Sequence, residues 1–385
     1  VRVVKGFLRR YWLALLIPSL AASLVAALWL APPARLALQT ALLYPQVLVP
    51  LPGPLAALAG PQPHTETVSL QAGQSGETFE ADIYRPPGNG PRGGLLVVIG
   101  AAPAARHDPR AVRLAQGVAR SGIVVMVPVL PRLSRKVLSP EDVEVVVQSF
   151  LYLRSLPYVD PGRVAILGFS VGEGIAMAAA ADPRIRDDVA ALGSFGGYHD
   201  VRELIVSVAT GTILVDGHRE PWQPDPWAEE VLKTSLLYFV PDRRERDLLA
   251  AALDAGGRLP GGTLSPTASL VQAVLLERDP TRAHQLLAQA PPELARTLDL
   301  LSPRSYTAQV QAEVFIVADR HDPLVPYTES VRLRHDLMAQ GKPTRYAEIA
   351  IFRHVNPRLE TNPASFLADF LRLFLQTYAL LERLR

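Results

Sequence analysis

The chain of 385 residues contains no cysteine. Disulfides, a thiolate nucleophile and Cys-ligated zinc are therefore excluded together. Clustered positive charge is nearly as scarce. The net charge is +2, and beyond the first ten residues no run of Lys or Arg is long enough to build a nucleic-acid surface, so no nucleic-acid partner is expected. The phosphate-cradling G-x-x-x-x-G-K-[ST] loop, the H-E-x-x-H pair and a glycine fingerprint with a downstream acid are all missing. Eight His, mostly far apart and without Cys, do not suggest a zinc cage. The expected sets of cofactors and metals are both empty.

What is present begins with hydrophobicity. At 49% hydrophobic residues there is material for one large core. Trp12 to Leu30 is an apolar run without charge, long enough to cross a hydrocarbon core of about 30 Å as a helix. Lys5, Arg9 and Arg10 precede it and only Arg35 follows closely. The positive-inside rule then predicts a single-pass anchor over residues 1–30, with the N-terminus cytoplasmic and the rest outside the cytoplasmic membrane. A cleavable signal peptide is the competing expectation. The apolar run exceeds that class, and cuts after Ala31 or Ala34 would place Trp29 or Pro32 poorly. Residues 31–64 are apolar but punctuated by Pro32, Pro33, Pro45, Pro50, Pro52, Pro54, Pro61 and Pro63, a spacing that predicts a linker without a long helix.

From about residue 65 the pattern alternates strand and helix. FEADIYR (79–85) reads as a half-exposed strand, while GLLVVIG (94–100), GIVVMVPV (122–129) and RVAILG (163–168) are short runs rich in β-branched residues, as buried parallel strands are. Residues 109–120 and 141–155 carry helical spacing between them. VAALGS (189–194), AEVFIVA (312–318) and TRYAEIAI (344–351) continue the series, and 362–383 closes it as a helix. The expectation is an α/β fold, a mostly parallel sheet with helices on both faces over 65–385. Between about 201 and 305 the periodicity is helical, with no convincing buried strand. That interval reads as a helical cap inserted between two strands.

Gly168-Phe169-Ser170-Val171-Gly172 is a G-x-S-x-G motif directly after a predicted strand and before a helical stretch. A sharp turn there lifts the hydroxyl out of the backbone, and the Val171 N–H at the helix N-terminus can face a developing oxyanion. A serine nucleophile needs a base, and the base an orienting carboxylate. Asp319 and Asp322 follow a strand in FIVADRHDPLVPYTES, and His354 lies in the loop after the final strand, in the order nucleophile, acid, base. Asp322 is the favoured acid, with Asp319 and then Asp200 as substitutes. His321 reads as a solvated loop residue. The second oxyanion donor is expected from Ala101 or Ala102 in Gly100-Ala101-Ala102-Pro103. His107 in the same loop reads equally as pocket-facing or solvated. Glu173, unusual so near a nucleophile, is expected to pair with a cation.

The segments DPGRVAILGFSVGEG, GSFGGYHD, DRHDPLVP and FRHVNP together resemble the α/β-hydrolase superfamily, and more narrowly dienelactone-hydrolase-type bacterial hydrolases. The resemblance spans roughly 65–380 and implies a Ser170, Asp322, His354 triad. Two departures stand out: the family's dienelactone hydrolase uses a Cys nucleophile, and it has no large cap. The reading is an esterase acting on a small-molecule ester or acyl substrate, with Trp222, Trp227, Leu236, Leu237, Tyr238 and Phe239 roofing an acyl pocket or forming the cap's own core. Membrane contact is assigned to residues 12–30. A dipeptidyl-peptidase-like or thioester hydrolase is the alternative chemistry, and a tethered, inactive binding protein the alternative class.

Overall fold

The computed structural model describes residues 31–385 apart from positions 49, 51, 74, 75, 261, 351, 354, 355 and 358–361; of the first thirty residues it describes Ser19 alone. In chain order the elements are α1 (Pro32–Leu48), α2 (Gly53–Ala59), β1 (His64–Ala72), β2 (Glu77–Arg85), β3 (Arg92–Val98), α3 (Pro109–Arg120), β4 (Val124–Pro128), α4 (Asp142–Ser155), β5 (Val159–Phe169), α5 (Gly172–Ala180) and β6 (Val189–Phe195). An insertion follows, made of α6 (Val201–Thr210), the hairpin β7 (Thr212–Val215) and β8 (His218–Pro221), α7 (Pro226–Tyr238), α8 (Arg243–Asp254), α9 (Pro266–Leu276), α10 (Pro280–Ala288) and α11 (Pro292–Leu300). The chain then returns through β9 (Glu313–Asp319), α12 (Tyr327–Ala339), β10 (Thr344–Ile349) and α13 (Pro363–Glu382).

Eight strands form one sheet in the order β1-β2-β4-β3-β5-β6-β9-β10. The pairs β1/β2 and β2/β4 are antiparallel, and every later pair is parallel. The central strands are apolar on both faces because each face is covered. Leu96, Val98, Val124, Met126, Val164 and Ile166 enter one core with α4, α5, α12 and the insertion. Their neighbours Leu95, Val97, Val125, Val127 and Ala165 enter the other, with α1, α3 and α13. The period of two along each strand thus feeds two cores. This is the mostly parallel sheet with helices on both faces that the strand runs predict.

Prolines mark helix starts. Asp108, Asp225, Asp279, Ser265 and Asn362 each precede a proline and each accepts a backbone N–H of the first turn that follows. A fixed proline φ and a missing N–H cost nothing at that position, and the side-chain oxygen satisfies an orphan donor.

Two expectations are corrected here. The proline-rich stretch holds a 17-residue helix, α1. Pro32 and Pro33 open its first turn, where no donor is needed, and Pro45, inside the helix, removes only the bond its own N–H would have made to the Ala41 carbonyl. It is docked: Leu36 and Leu43 are buried, and the Gln39 amide donates to the Ala59 and Arg120 carbonyls, both at 3.2 Å. The second correction concerns the membrane. Among the described residues the one helix long and apolar enough to cross a bilayer is α13, Pro363–Glu382, at the opposite end of the chain from the expected anchor. Residues 12–30, Ser19 apart, lie outside the described residues. Leu373 of α13 packs with Val317 and Ile349, and Leu380 and Leu381 pack with Leu36 and Leu43. Twenty residues of mostly apolar character satisfy the length rule for a span, yet this helix covers a sheet. The single-pass topology with an extracytoplasmic catalytic domain is accordingly withdrawn.

Candidate active site

Ser170 stands in the turn between β5 and α5 with φ of 53°. This left-handed backbone is uncommon for a side chain larger than hydrogen, and it persists only where surroundings enforce it. They do so here through hydrogen bonds: the Ser170 N–H donates to the Phe195 carbonyl at 2.9 Å, and the Ser170 carbonyl accepts the Glu173 N–H at 3.0 Å. Gly172 lets α5 lie against β3, since a Cβ there would sit 2.6 Å from the Ile99 oxygen. Val171 is the N-cap of α5, so its N–H is among the orphan donors of a helix N-terminus.

The loop after β3 comes to meet this turn. A Cβ on Gly100 would stand 2.9 Å from the Ser170 Cβ and 3.0 Å from the Phe169 oxygen. Gly100, Ala101 and Ala102 line the same cavity as Ser170 and Val171. Sequence reasoning gave Gly100 no role; its contact with the nucleophile depends on how two loops from different strands converge.

Asp322 lies in the turn after β9, buried, with one carboxylate oxygen accepting the N–H groups of Leu324 at 2.8 Å and Val325 at 3.1 Å. Asp319 ends β9 and is also buried; its carboxylate accepts the His321 N–H at 2.7 Å. The neighbours of Asp322, Pro323 and Leu324, line the cavity. Asp200 caps α6, accepts the Ser302 hydroxyl and is ion-paired with Arg304 at 3.0 Å. His321 and His107 are exposed and away from the cavity lining. His354 lies outside the described residues.

Glu173 departs from expectation. Its side chain is fully buried and no cation pairs with it among the described residues. The Tyr198 amide and the Ser194 hydroxyl are close enough to offset part of the rise in its pKa, but neither carboxyl oxygen is in hydrogen-bonding geometry with a described donor. Burial pushes its pKa up to about 8, which keeps it protonated at neutral pH.

The cavity has a volume of about 1010 Å³, at the upper end for small-molecule sites. It opens at the carboxyl ends of β3, β5 and β9, where ligands of open α/β sheets bind. Its walls are mostly apolar: Leu204, Ile205 and Val208 from α6, Val231 and Leu236 from α7, Leu298 near the end of α11. Of the six residues considered as a roof, Trp227, Leu236 and Phe239 line the cavity, while Trp222, Leu237 and Tyr238 do not.

No protein-family model and no curated protein matches the sequence. Solved structures do. A puromycin-hydrolyzing peptidase from Mycobacterium tuberculosis superposes with TM-score 0.52 at 16% identity, covering 84% of this chain and 39% of that one. An acylaminoacyl peptidase from Pyrococcus horikoshii gives TM-score 0.52 at 14% identity, covering 85% and 43%. The fold is that of the α/β hydrolases. The chain spans about two-fifths of those longer peptidases. A dienelactone hydrolase from Anabaena variabilis is matched over 100% of its length and 84% of this chain, at TM-score 0.45 and 15% identity.

Proposed function

We propose that the chain is a serine hydrolase that cleaves carboxylic esters with an apolar acyl group through an acyl-enzyme. The observation that carries this reading is the left-handed Ser170 at a strand-to-helix turn, on the wall of a large apolar cavity. In the proposed reaction His354 takes the Ser170 proton as the hydroxyl attacks the ester carbonyl, and Asp322 steadies the imidazolium. The N–H of Val171, with that of Ala101 or Ala102, holds the tetrahedral oxyanion. His354 returns the proton to the departing alcohol, and water clears the acyl-enzyme by the same base.

A peptidase is the second reading, favoured by the names of the superposed enzymes. A peptidase of the dipeptidyl type, which grips a free amine, needs a carboxylate available to hold it. The two carboxylates lining the cavity, Asp108 and Asp225, each use an oxygen to cap a helix, which supports the ester reading. Labelling of the full chain with a fluorophosphonate, beside Ser170→Ala, is the test. Labelling lost in the variant supports an activated serine, and hydrolysis of p-nitrophenyl esters above aminoacyl-anilides then favours the esterase. A folded wild type that does not label would sink both and leave a binding protein.

A further inference from the structure

The two loops that carry the proposed oxyanion donors and acid are both held by one segment of the insertion, Trp222-Gln223-Pro224-Asp225-Pro226-Trp227. The indole N–H of Trp227 donates to the Ala101 carbonyl at 3.1 Å. The indole N–H of Trp222 donates to the Asp322 carbonyl at 3.0 Å. Between them the Asp225 N–H donates to the Pro323 carbonyl at 2.8 Å. The segment is itself constrained. Pro224 and Pro226 fix two φ angles, the Trp222 N–H donates to the Gly211 carbonyl at 2.8 Å, and Asp225 caps α7 by accepting the Trp227 N–H at 2.8 Å. Above the Trp227 ring lies the Lys136 ammonium, 4.5 Å from its centre, tied in turn to Glu230 at 2.6 Å.

We propose that Trp227 and Trp222 are positioning residues, and that the insertion completes the catalytic geometry as well as roofing the cavity. This rests on the hydrolase reading above. Peptide planarity carries the hold of Trp227 to the neighbouring amide. No described peptide bond is cis, so the Ala101 C=O and the Ala102 N–H share one plane and point in opposite directions. Holding the carbonyl toward the insertion fixes the direction of the Ala102 N–H. Of the two oxyanion candidates in this loop, Ala102 is therefore the one whose N–H Trp227 orients. Trp222 acts on the other loop. It holds the main-chain oxygen of Asp322, while Leu324 and Val325 hold one oxygen of its carboxylate. The acid is thereby gripped from both ends.

Phenylalanine at either position keeps an apolar ring and deletes the N–H. For Trp227→Phe we expect kcat to fall at least about tenfold with KM within about twofold, short of the roughly 10²–10³ seen when an oxyanion donor is removed outright. Its pH profile stays that of the wild type. For Trp222→Phe kcat falls as well, and the acid limb of kcat/KM moves to lower pH, because a looser Asp322 stabilises the imidazolium less. Thermal melts and fluorophosphonate labelling accompany both variants. If either fails to fold, site-specific benzothienylalanine, with sulfur in place of the indole N–H, removes only the donor. Wild-type kcat and pH profile in folded variants that still label would overturn the positioning role while leaving the hydrolase reading intact. A wild type that does not label would overturn the hydrolase reading instead.

Discussion

At the scale of single residues the most consequential group is Glu173, a carboxyl buried one position past the motif that carries Ser170. Its pKa rises from an ordinary 4.5 to about 8 because burial penalises the charged form. The unfolded chain releases its proton near pH 4.5 and the folded chain keeps it until about 8. Stability from this group is therefore full below about pH 4.5 and lost progressively as pH rises through that window. Glu173→Gln, which is neutral throughout, should leave stability nearly unchanged at pH 4.5 and raise it at pH 8. Denaturant melts at the two pH values check this; a gain independent of pH would mean that the carboxyl is not held protonated. The choice between Asp322 and Asp319 is also a single-residue question. Asp322→Asn should cost about 10⁴ in kcat, as disturbing a triad acid does, while Asp319→Asn keeps an oxygen for the His321 N–H and costs little. Steady-state kinetics on a p-nitrophenyl ester decides it, and the reverse result reassigns the acid. Ser170 was legible because a short motif coincides with a strand-to-helix change. The isolation of Glu173 was not, since nothing in a linear sequence says which donors surround a buried side chain.

At the scale of elements, legibility followed periodicity. The strands from 94 to 100, 122 to 129 and 163 to 168 stand out because a doubly covered strand is apolar at every position, and the structure buries all of Val124–Pro128. Proline misled where its position within the element mattered more than its number. Pro32, Pro33 and Pro45 read as helix breakers, but the first two occupy a first turn, where no donor is needed, and the third removes a single bond from α1, which the docking of the helix outweighs. The same residue type at 109, 226, 266, 280 and 363 opens helices behind side-chain caps, a signal stronger than the interruption it resembles. The hairpin β7–β8 shows the opposite failure. Asp216 and Gly217, with φ of 46° and 85°, form the Asp-Gly turn that joins two short strands, and the dipeptide stood in the sequence unread. Helix α13 explains why apolar length alone overreaches. Leu367, Leu371 and Leu375 are exposed at spacings of four, while Leu373, Leu380 and Leu381 are buried, so one helix is apolar on its outer face as well as its inner one. Composition cannot separate such a helix from a span; packing against the sheet can. The donors of Trp222 and Trp227 belong with the illegible part, because each joins the insertion to a loop about 100 residues or more away along the chain.

For the whole molecule, the placement of α1 changes what counts as the folded unit. Sequence alone puts the start of the domain near residue 65. In the structure Leu36 and Leu43 are 2% and 5% exposed and share a core with Val118 and Ala119 of α3 and Leu380 and Leu381 of α13. The α1–α3 contact is close enough that a Cβ on Gly117 would collide with Leu43. Val47, near the end of α1, lines the cavity, and the Arg113 guanidinium donates to its carbonyl at 2.7 Å. Deleting residues 1–63 therefore uncovers α3 and α13 where α1 packs on them and opens one wall of the cavity. Burial of a leucine is worth roughly 1.5–3 kcal/mol, so losing Leu36 and Leu43 alone should lower stability by about 3 kcal/mol or more, compared with a chain beginning at residue 31. Urea melts of the two proteins measure this directly. The same pair tests the cavity: without Val47, long-chain esters should lose more kcat/KM than short ones, because only the longer acyl groups need the far wall. Equal stability and equal chain-length preference would mean that α1 is an appendage, and would return the boundary to residue 65. A drop in both would make the helix part of the substrate site.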